Sequence, residues 1–165
     1  MTTSSIRQRA TDRLSRLAQR VARPRTAGIV AAILALAAYL LGPPGGDAAA
    51  HLYLTQLWQD EGWQLWDNLW YGGRYSQVNY SLVYYPLSAL ISTPVVVAGS
   101  VGVAAAAFAA VVRRVWPTAA TPAVLAFAVL LPLGVIAGTY PFLLGLAVAL
   151  VTLAAVLHGR VLLAA

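Results

Sequence analysis

Cysteine and lysine are both missing from this 165-residue chain, and only five of its residues are acidic. Without cysteine there are no disulfides and no thiolate metal sites; the absence says nothing more about compartment. Without lysine, all eleven basic residues are arginine, which with the abundant alanine suggests a GC-rich bacterial genome. No GxxxxGK(S/T), HExxH or GxSxG pattern occurs, so ATPase, zinc-protease and serine-hydrolase readings have no support. Charge is scarce at 10%, whereas 60% of the residues are hydrophobic, far more than a soluble domain of this length needs. The expected class is therefore an all-α polytopic membrane protein. The net charge of +6 is uneven, with seven arginines in the first 25 residues. That is a membrane-facing arm rather than a nucleic-acid groove, and no nucleic-acid partner is expected.

Hydrophobic runs and arginines divide the chain. The first span is 26–42, a run of 17 uncharged residues between Arg25 and Pro43, at the short end of what crosses a hydrocarbon core of roughly 30 Å. Further spans are expected at 94–112, 118–138 and 141–157, about four in all. Residues 158–165 form a cytoplasmic end that opens another apolar stretch. The amino-terminal arm, Arg113, Arg114 and Arg160 orient the spans: positive charge stays inside, which puts the amino terminus in the cytoplasm and the 43–93 loop outside. Only Arg74 lies on the wrong side. The chain would then be a multi-pass protein of the cell membrane. A signal peptide cleaved near Ala48, Ala49 and Ala50 is the rival reading of the first span. Its 25-residue basic lead is long for that role.

Residues 1–25 carry an apolar stripe, Ile6, Ala10, Leu14, Leu17 and Val21, opposite Arg9, Arg13, Arg16, Arg20 and Arg23. Ser4 or Ser5 can cap this helix and Pro24 ends it. It should lie on the anionic cytoplasmic leaflet or, more plainly, set topology. Within the spans, Gly102, Ala106 and Ala110, and again Gly134 and Gly138, permit close backbone approach. Pro132 should kink the third span, and the three residues 138–140 would join it to the fourth as a tight antiparallel hairpin.

Four of the five tryptophans and four of the five acidic residues fall within 47–70, just after the first span. Asp47 would cap a helix from Ala48 to about Gln59 that breaks at Gly62. His51 is four residues on and shares its face. A second short helix, 63–70, would align Trp63, Trp66 and Trp70; Tyr71, Gly72, Gly73, Arg74 and Tyr75 form a turn. Tyr80, Tyr84 and Tyr85 then lead into a segment that dips towards the second span. Each feature also has a plain structural explanation. Tryptophan and tyrosine gather at any membrane interface. Asp47 can be a cap alone, His51 a structural histidine, and Asp60 with Glu61 a solvated pair. In conjunction they suit a sugar carried on a lipid phosphate. Aromatic faces stack on sugar rings, and Arg74 can pair with a phosphate in a forked geometry. A carboxylate near the interface can be a general base or help to hold a divalent cation.

The order of basic arm, first span, Gly46-Asp47-x-x-x-His51, Trp-rich segment, Trp70-Tyr71-Gly72-Gly73 and Tyr84-Tyr85-Pro86-Leu87 resembles the start of bacterial GT-C type polyprenyl-phosphate-dependent glycosyltransferases. It is most similar to the polytopic proteins of that superfamily labelled pyruvoyl-tetrahydropterin synthase-related. The resemblance covers about residues 26–115. It implies that Asp47 is the acidic residue opening the first external loop and serving the active site, with Asp60 and Glu61 as a second acidic element. Two amphipathic helices along the membrane surface are implied as well. On this reading Asp47 and His51 are catalytic and are the candidate metal ligands. Arg74 contacts the donor phosphate, and Trp66, Trp70 and Tyr71 bind substrate. The partners are membrane lipid, a polyprenyl-phosphate-linked sugar and further membrane subunits. GT-C enzymes have many more spans than four. The resemblance therefore implies an amino-terminal portion of a longer protein, or a short relative lacking part of the catalytic chamber.

The leading expectation is an inverting glycosyltransferase acting on the outer membrane face. The alternative is a non-catalytic module that binds a lipid-linked glycan or scaffolds a complex. A transporter is third, because the expected spans hold no charged side chain.

Overall fold

Proline placement and hydrophobic length account for most of the helix boundaries. In a computed structural model, which describes residues 3–78 and 81–159, the chain is an all-α polytopic protein with one small β-hairpin. Helix α1 (Thr3–Val21) stops before Pro24, whose missing N–H then fits the first turn of α2 (Pro24–Leu41). Proline opens α6 (Thr93–Val115) and α9 (Tyr140–Leu157) in the same way. Between them the third span, Ala120–Ala137, is broken at Pro132 into α7 (Ala120–Leu130) and α8 (Leu133–Ala137). Around the break the ladder tightens to short-range bonds, Gly134 N to Leu131 O and Val135 N to Pro132 O, both 3.0 Å. Among the described residues, four helical segments, α2, α6, α7 with α8, and α9, are long and apolar enough to cross a membrane. The second span, α6, runs on to include Arg113 and Arg114, both exposed, because a terminal charge does not interrupt the backbone ladder.

The four segments leave one end of the bundle carrying Arg23, Arg25, Arg113 and Arg114 and the other carrying the 42–92 loop. Helix α6 is central and the most buried. It packs along α2 on one side and α9 on another, and also touches α7. The α2–α6 crossing rests on two glycines. A Cβ on Gly28 would lie 2.8 Å from Gly102 O, and one on Gly102 would lie 2.9 Å from Ala32 Cβ. Although only Gly138 and Thr139 separate α8 from α9, α9 lies chiefly along α6, so the short turn does not produce the expected hairpin of mutually packed helices. The small-residue surface of α6 offers closer approach than α7 does.

The main core cluster lies towards the loop end and includes Tyr84, Tyr85, Tyr140, Leu54 and Leu143. A second cluster at the arginine end joins Ala22 to Ala27, Ala109 and Val124, and anchors the last turn of α1. Further along α1, Leu14 and Leu17 are exposed. The serine cap expected at Ser4 or Ser5 rests on side chains outside the described residues, as do Tyr80 and Arg160.

Within the loop, α3 (Ala48–Glu61) ends at Gly62, whose φ of 76° breaks the helix. The second helix is not at 63–70. Residues Trp66–Leu69 form β1, Trp70–Gly73 a helical turn, α4, and Tyr75–Val78 the returning strand β2. The strands are antiparallel, with Trp66 opposite Val78 and Asp67 opposite Gln77. Strand alternation lets Trp66 and Asn68 share the outer face, where Trp66 Nε1 donates to Asn68 Oδ1 at 2.6 Å, while Asp67 turns inward and is buried. A helix would not separate these neighbours. The loop's second helix is α5 (Tyr84–Leu90).

Candidate functional site

Helix α3 turns His51 into the protein, where only 3% of the residue is exposed. Its Nδ1 lies 3.1 Å from the Tyr85 hydroxyl, and a hydrogen bond with the Gly138 backbone also holds the ring. Three tyrosine rings surround it, with centroids 6.0 Å (Tyr84), 6.0 Å (Tyr85) and 5.5 Å (Tyr140) away. Tyr39 extends the cluster, 5.9 Å from Tyr140. Rings from α2, α3, α5 and α9 thus meet at one point and tie the loop to the ends of the spans. Burial lowers the His51 pKa, opposed by the charge of Asp47 and the Gly138 contact, so neutral imidazole is the form that fits. Burial is also the main cause that raises the Tyr84 hydroxyl above its ordinary value; among the described residues neither that buried hydroxyl nor Ser88 Oγ has a hydrogen-bond partner.

Asp47 sits at the start of the same helix. It is exposed, and its carboxylate makes no cap hydrogen bond, contrary to expectation. The backbone there is helical (φ −94°, ψ 0°) rather than extended, and extended geometry is what brings a capping side chain back to the helix N–H groups. Instead Ala48 N donates to Gly45 O at 3.0 Å and His51 N to Asp47 O at 3.1 Å. The turn is closely packed. Gly138 (φ 79°) lies so close that a Cβ would be 3.0 Å from both Asp47 N and Ala48 N, and Gly45 packs against the same turn. Asp47 and His51 interact electrostatically, but the histidine's hydrogen bond goes to Tyr85.

The remaining expected residues are elsewhere. Arg74 is exposed on the hairpin turn, its guanidinium 5.6 Å from the Tyr75 ring centroid. Trp66 is exposed on β1, and the side chains of Trp70 and Tyr71 lie outside the described residues. The buried Asp67 carboxylate of the hairpin acts electrostatically on the Tyr53 hydroxyl of α3. Burial first, then Asp67, raises the Tyr53 pKa. Tyr53 is six residues beyond Asp47, about 9 Å along the helix. Among the described residues, no hydrogen bond, ion pair or ring contact joins Arg74 or Trp66 to Asp47. Nor does any group of three His, Cys, Asp or Glu converge as metal ligands. With His51 committed to Tyr85 and Gly138, the donor set at Asp47 and His51 does not fit a divalent cation. Reading the sequence missed the roles of Tyr85, Tyr140, Asp67 and Gly138. The pairing of Tyr84-Tyr85 and of Tyr140 with a following proline at span ends was the available signal.

Two concave surfaces open beside this cluster. One is a polar cleft of about 550 Å³ between α2, α3, α5 and the start of α6. The other is an apolar groove of about 450 Å³ along α5, α6 and α9. No protein-family model, curated protein or solved structure matches the chain.

Proposed function

We propose that this chain is a membrane glycosyltransferase of the GT-C type, or the amino-terminal portion of one, moving a sugar from a polyprenyl-phosphate donor to an acceptor on the outer membrane face. The observation that carries the reading is Asp47: an exposed carboxylate on a closely packed turn, at the end of the bundle away from the arginines. In an inverting transfer the carboxylate takes the proton of an acceptor hydroxyl as its oxygen bonds to the anomeric carbon. The bond from that carbon to the phosphate oxygen breaks, and polyprenyl phosphate leaves with the electron pair. Arg74 suits the donor phosphate and Trp66 the sugar, provided that the hairpin swings towards Asp47 when substrate binds. His51 does not share in the chemistry; it holds α3 so that Asp47 stays in place. No metal is invoked.

The test is transfer of labelled sugar from a polyprenyl-phosphate donor in membranes containing the protein. General-base loss typically costs about 10²–10⁴-fold in rate, and Asp47→Asn should fall in that range at unchanged expression. Near wild-type transfer by the variant removes Asp47 from the mechanism. A second reading, a non-catalytic module that binds a lipid-linked glycan, is favoured by the polar cleft adjoining an apolar groove. It is the one to keep if the wild type transfers nothing.

A further inference from the structure

Exposed apolar side chains on a membrane span are ordinary, and the groove beside α6 and α9 would carry no weight by that measure. What sets it apart is where it ends. It runs along α6 from Val95 to Val103 and along α9 from Leu144 to Thr152. Eight residue steps of helix make it about 12 Å long, part of the depth of a ~30 Å hydrocarbon core. At its loop end it reaches Leu87 and Ile91, and Ile91 also lines the polar cleft. The polar and apolar surfaces therefore meet at one side chain, at the level where α6 begins and a membrane boundary would fall.

Beside Leu52, Ala89, Ile91 and Pro94, the cleft walls carry hydroxyls, amides and one carboxylate. Thr55, Gln56, Gln59 and Asp60 come from α3, Ser88 from α5 and Thr93 from the first turn of α6. Gln59 Nε2 donates to Ala89 O at 3.3 Å, which leaves its carbonyl oxygen for a ligand. Among the described residues, no arginine lines the cleft. An anionic headgroup would face Asp60 with no cation to receive it, whereas a ring of hydroxyls can donate to the carboxylate and the amide oxygens and accept from the amide N–H groups.

We infer that cleft and groove together hold one membrane lipid with an uncharged, hydroxyl-rich headgroup, the headgroup between α3 and the start of α6 and one hydrocarbon chain between α6 and α9. This goes beyond the proposed function and does not name the acceptor: the polar wall from Thr55 to Asp60 begins eight residues past Asp47, about 12 Å along α3, and retention of the lipid requires no transfer.

Gly99 gives the test its means of blocking the groove. It lines the groove, is exposed, and an added Cβ would meet nothing within 4 Å, so a larger side chain there fills the groove without pressing on the backbone. Gly145 on α9 is equally open but lies outside the groove lining, and serves as the control. The full chain is purified in the presence of equal amounts of monoglucosyl diacylglycerol, phosphatidylglycerol, phosphatidylethanolamine and plain diacylglycerol with matched chains, and retained lipid is measured by native mass spectrometry. Monoglucosyl diacylglycerol should be retained about tenfold over the other three, equivalent to ~1.4 kcal/mol. Gly99→Leu should remove most of that retention and Gly145→Leu should not. Gln56→Leu combined with Asp60→Leu, both at exposed positions, should abolish the preference over plain diacylglycerol. Equal or greater retention of either phospholipid overturns the inference, as does wild-type retention by Gly99→Leu. If Gly99→Leu fails to fold, the Gln56 and Asp60 double variant decides: an unchanged preference rejects the cleft as the headgroup site. Lipid retention without sugar transfer would reject the enzyme and keep the inference.

Discussion

Substituting alanine at Gly99 and at Gly102, three residues apart on α6, should have opposite effects on stability. Alanine is favoured over glycine in a helix by about 1 kcal/mol. At Gly99 the added methyl meets nothing within 4 Å, so that gain stands alone. At Gly102 the same methyl would lie 2.9 Å from Ala32 Cβ and 3.0 Å from Gly28 O. The first distance falls about 0.6–1.1 Å short of the ~3.5–4.0 Å optimum for carbon pairs. Neither neighbour is the end of a flexible side chain, so the helices must move apart, and overpacking of this kind costs about 1–3 kcal/mol. Subtracting the propensity gain leaves Gly102→Ala about 0–2 kcal/mol less stable than wild type, and roughly 1–3 kcal/mol below Gly99→Ala. Gly28→Ala, whose methyl would meet Gly102 O at 2.8 Å, should behave like Gly102→Ala. Once one substitution has parted the helices, the second should cost less than it does alone, so the double variant should be sub-additive. The assay is unfolding in mixed micelles followed by far-UV circular dichroism, with all five proteins in one lipid mixture. Equal or greater stability of Gly102→Ala relative to Gly99→Ala would refute the close crossing of α2 and α6.

His51 predicts a pH dependence. Burial holds its folded pKa below the ordinary value of about 6.5, so unfolding takes up a proton in acid. The stabilisation is complete above the unfolded pKa and falls as pH drops below it. A melting temperature that declines between about pH 7 and 5 in wild type but stays flatter in His51→Gln is the expected pattern; parallel profiles would count against it. On the hairpin, Asp67→Ala removes the partner of Tyr53, and trypsin should then cut after Arg74 faster than in wild type. An unchanged cleavage rate would mean that the contact does not fasten the hairpin. At the arginine end, Leu14→Asp with Leu17→Asp should weaken binding of a peptide spanning residues 1–25 to anionic vesicles by about 1–3 kcal/mol per leucine, measured as the lipid concentration that induces helix. Equal binding by both peptides would leave α1 as an arm that sets topology and nothing more.

The spans were legible because length, hydrophobicity and arginine punctuation all mark the same boundaries. Expected limits of 26–42, 94–112, 118–138 and 141–157 compare with helices at Pro24–Leu41, Thr93–Val115, Ala120–Ala137 and Tyr140–Leu157. The excess at Arg113 and Arg114 arises because hydropathy marks where the apolar run ends, whereas the helix ends where its backbone ladder does. Pro132 broke the third span where its ring chemistry requires. The stretch after Gly62 was misread because Trp63, Trp66 and Trp70 fit a helical stripe, while Trp66, Asp67 and Asn68 equally fit an alternating strand. Only a partner strand decides between them, and that partner, Tyr75–Val78, lies beyond the glycine turn.

The candidate site failed to read for a different reason. A spacing of four residues places Asp47 and His51 on one side of a helix but does not say which neighbour each will choose. Asp47 keeps its hydration by staying at the exposed start of α3, whereas His51, one turn on, gains the Tyr85 hydroxyl, the Gly138 backbone and three aromatic faces by turning in. Those partners lie 34 residues away on α5 and further still on the turn before α9, so no local pattern names them. The outcome divides the two roles that sequence proximity had merged. The histidine binds the loop to the spans, and the carboxylate is what the loop presents. That division explains why Gly138 matters although it carries no side chain. Its left-handed φ of 79° lets the α8–α9 turn pass close enough to touch His51 and the backbone of Asp47 at once. A substitution at Gly138 should therefore disturb the presentation of Asp47 more than one at Gly134, where an added Cβ would meet chiefly Leu143 and Thr139 side chains.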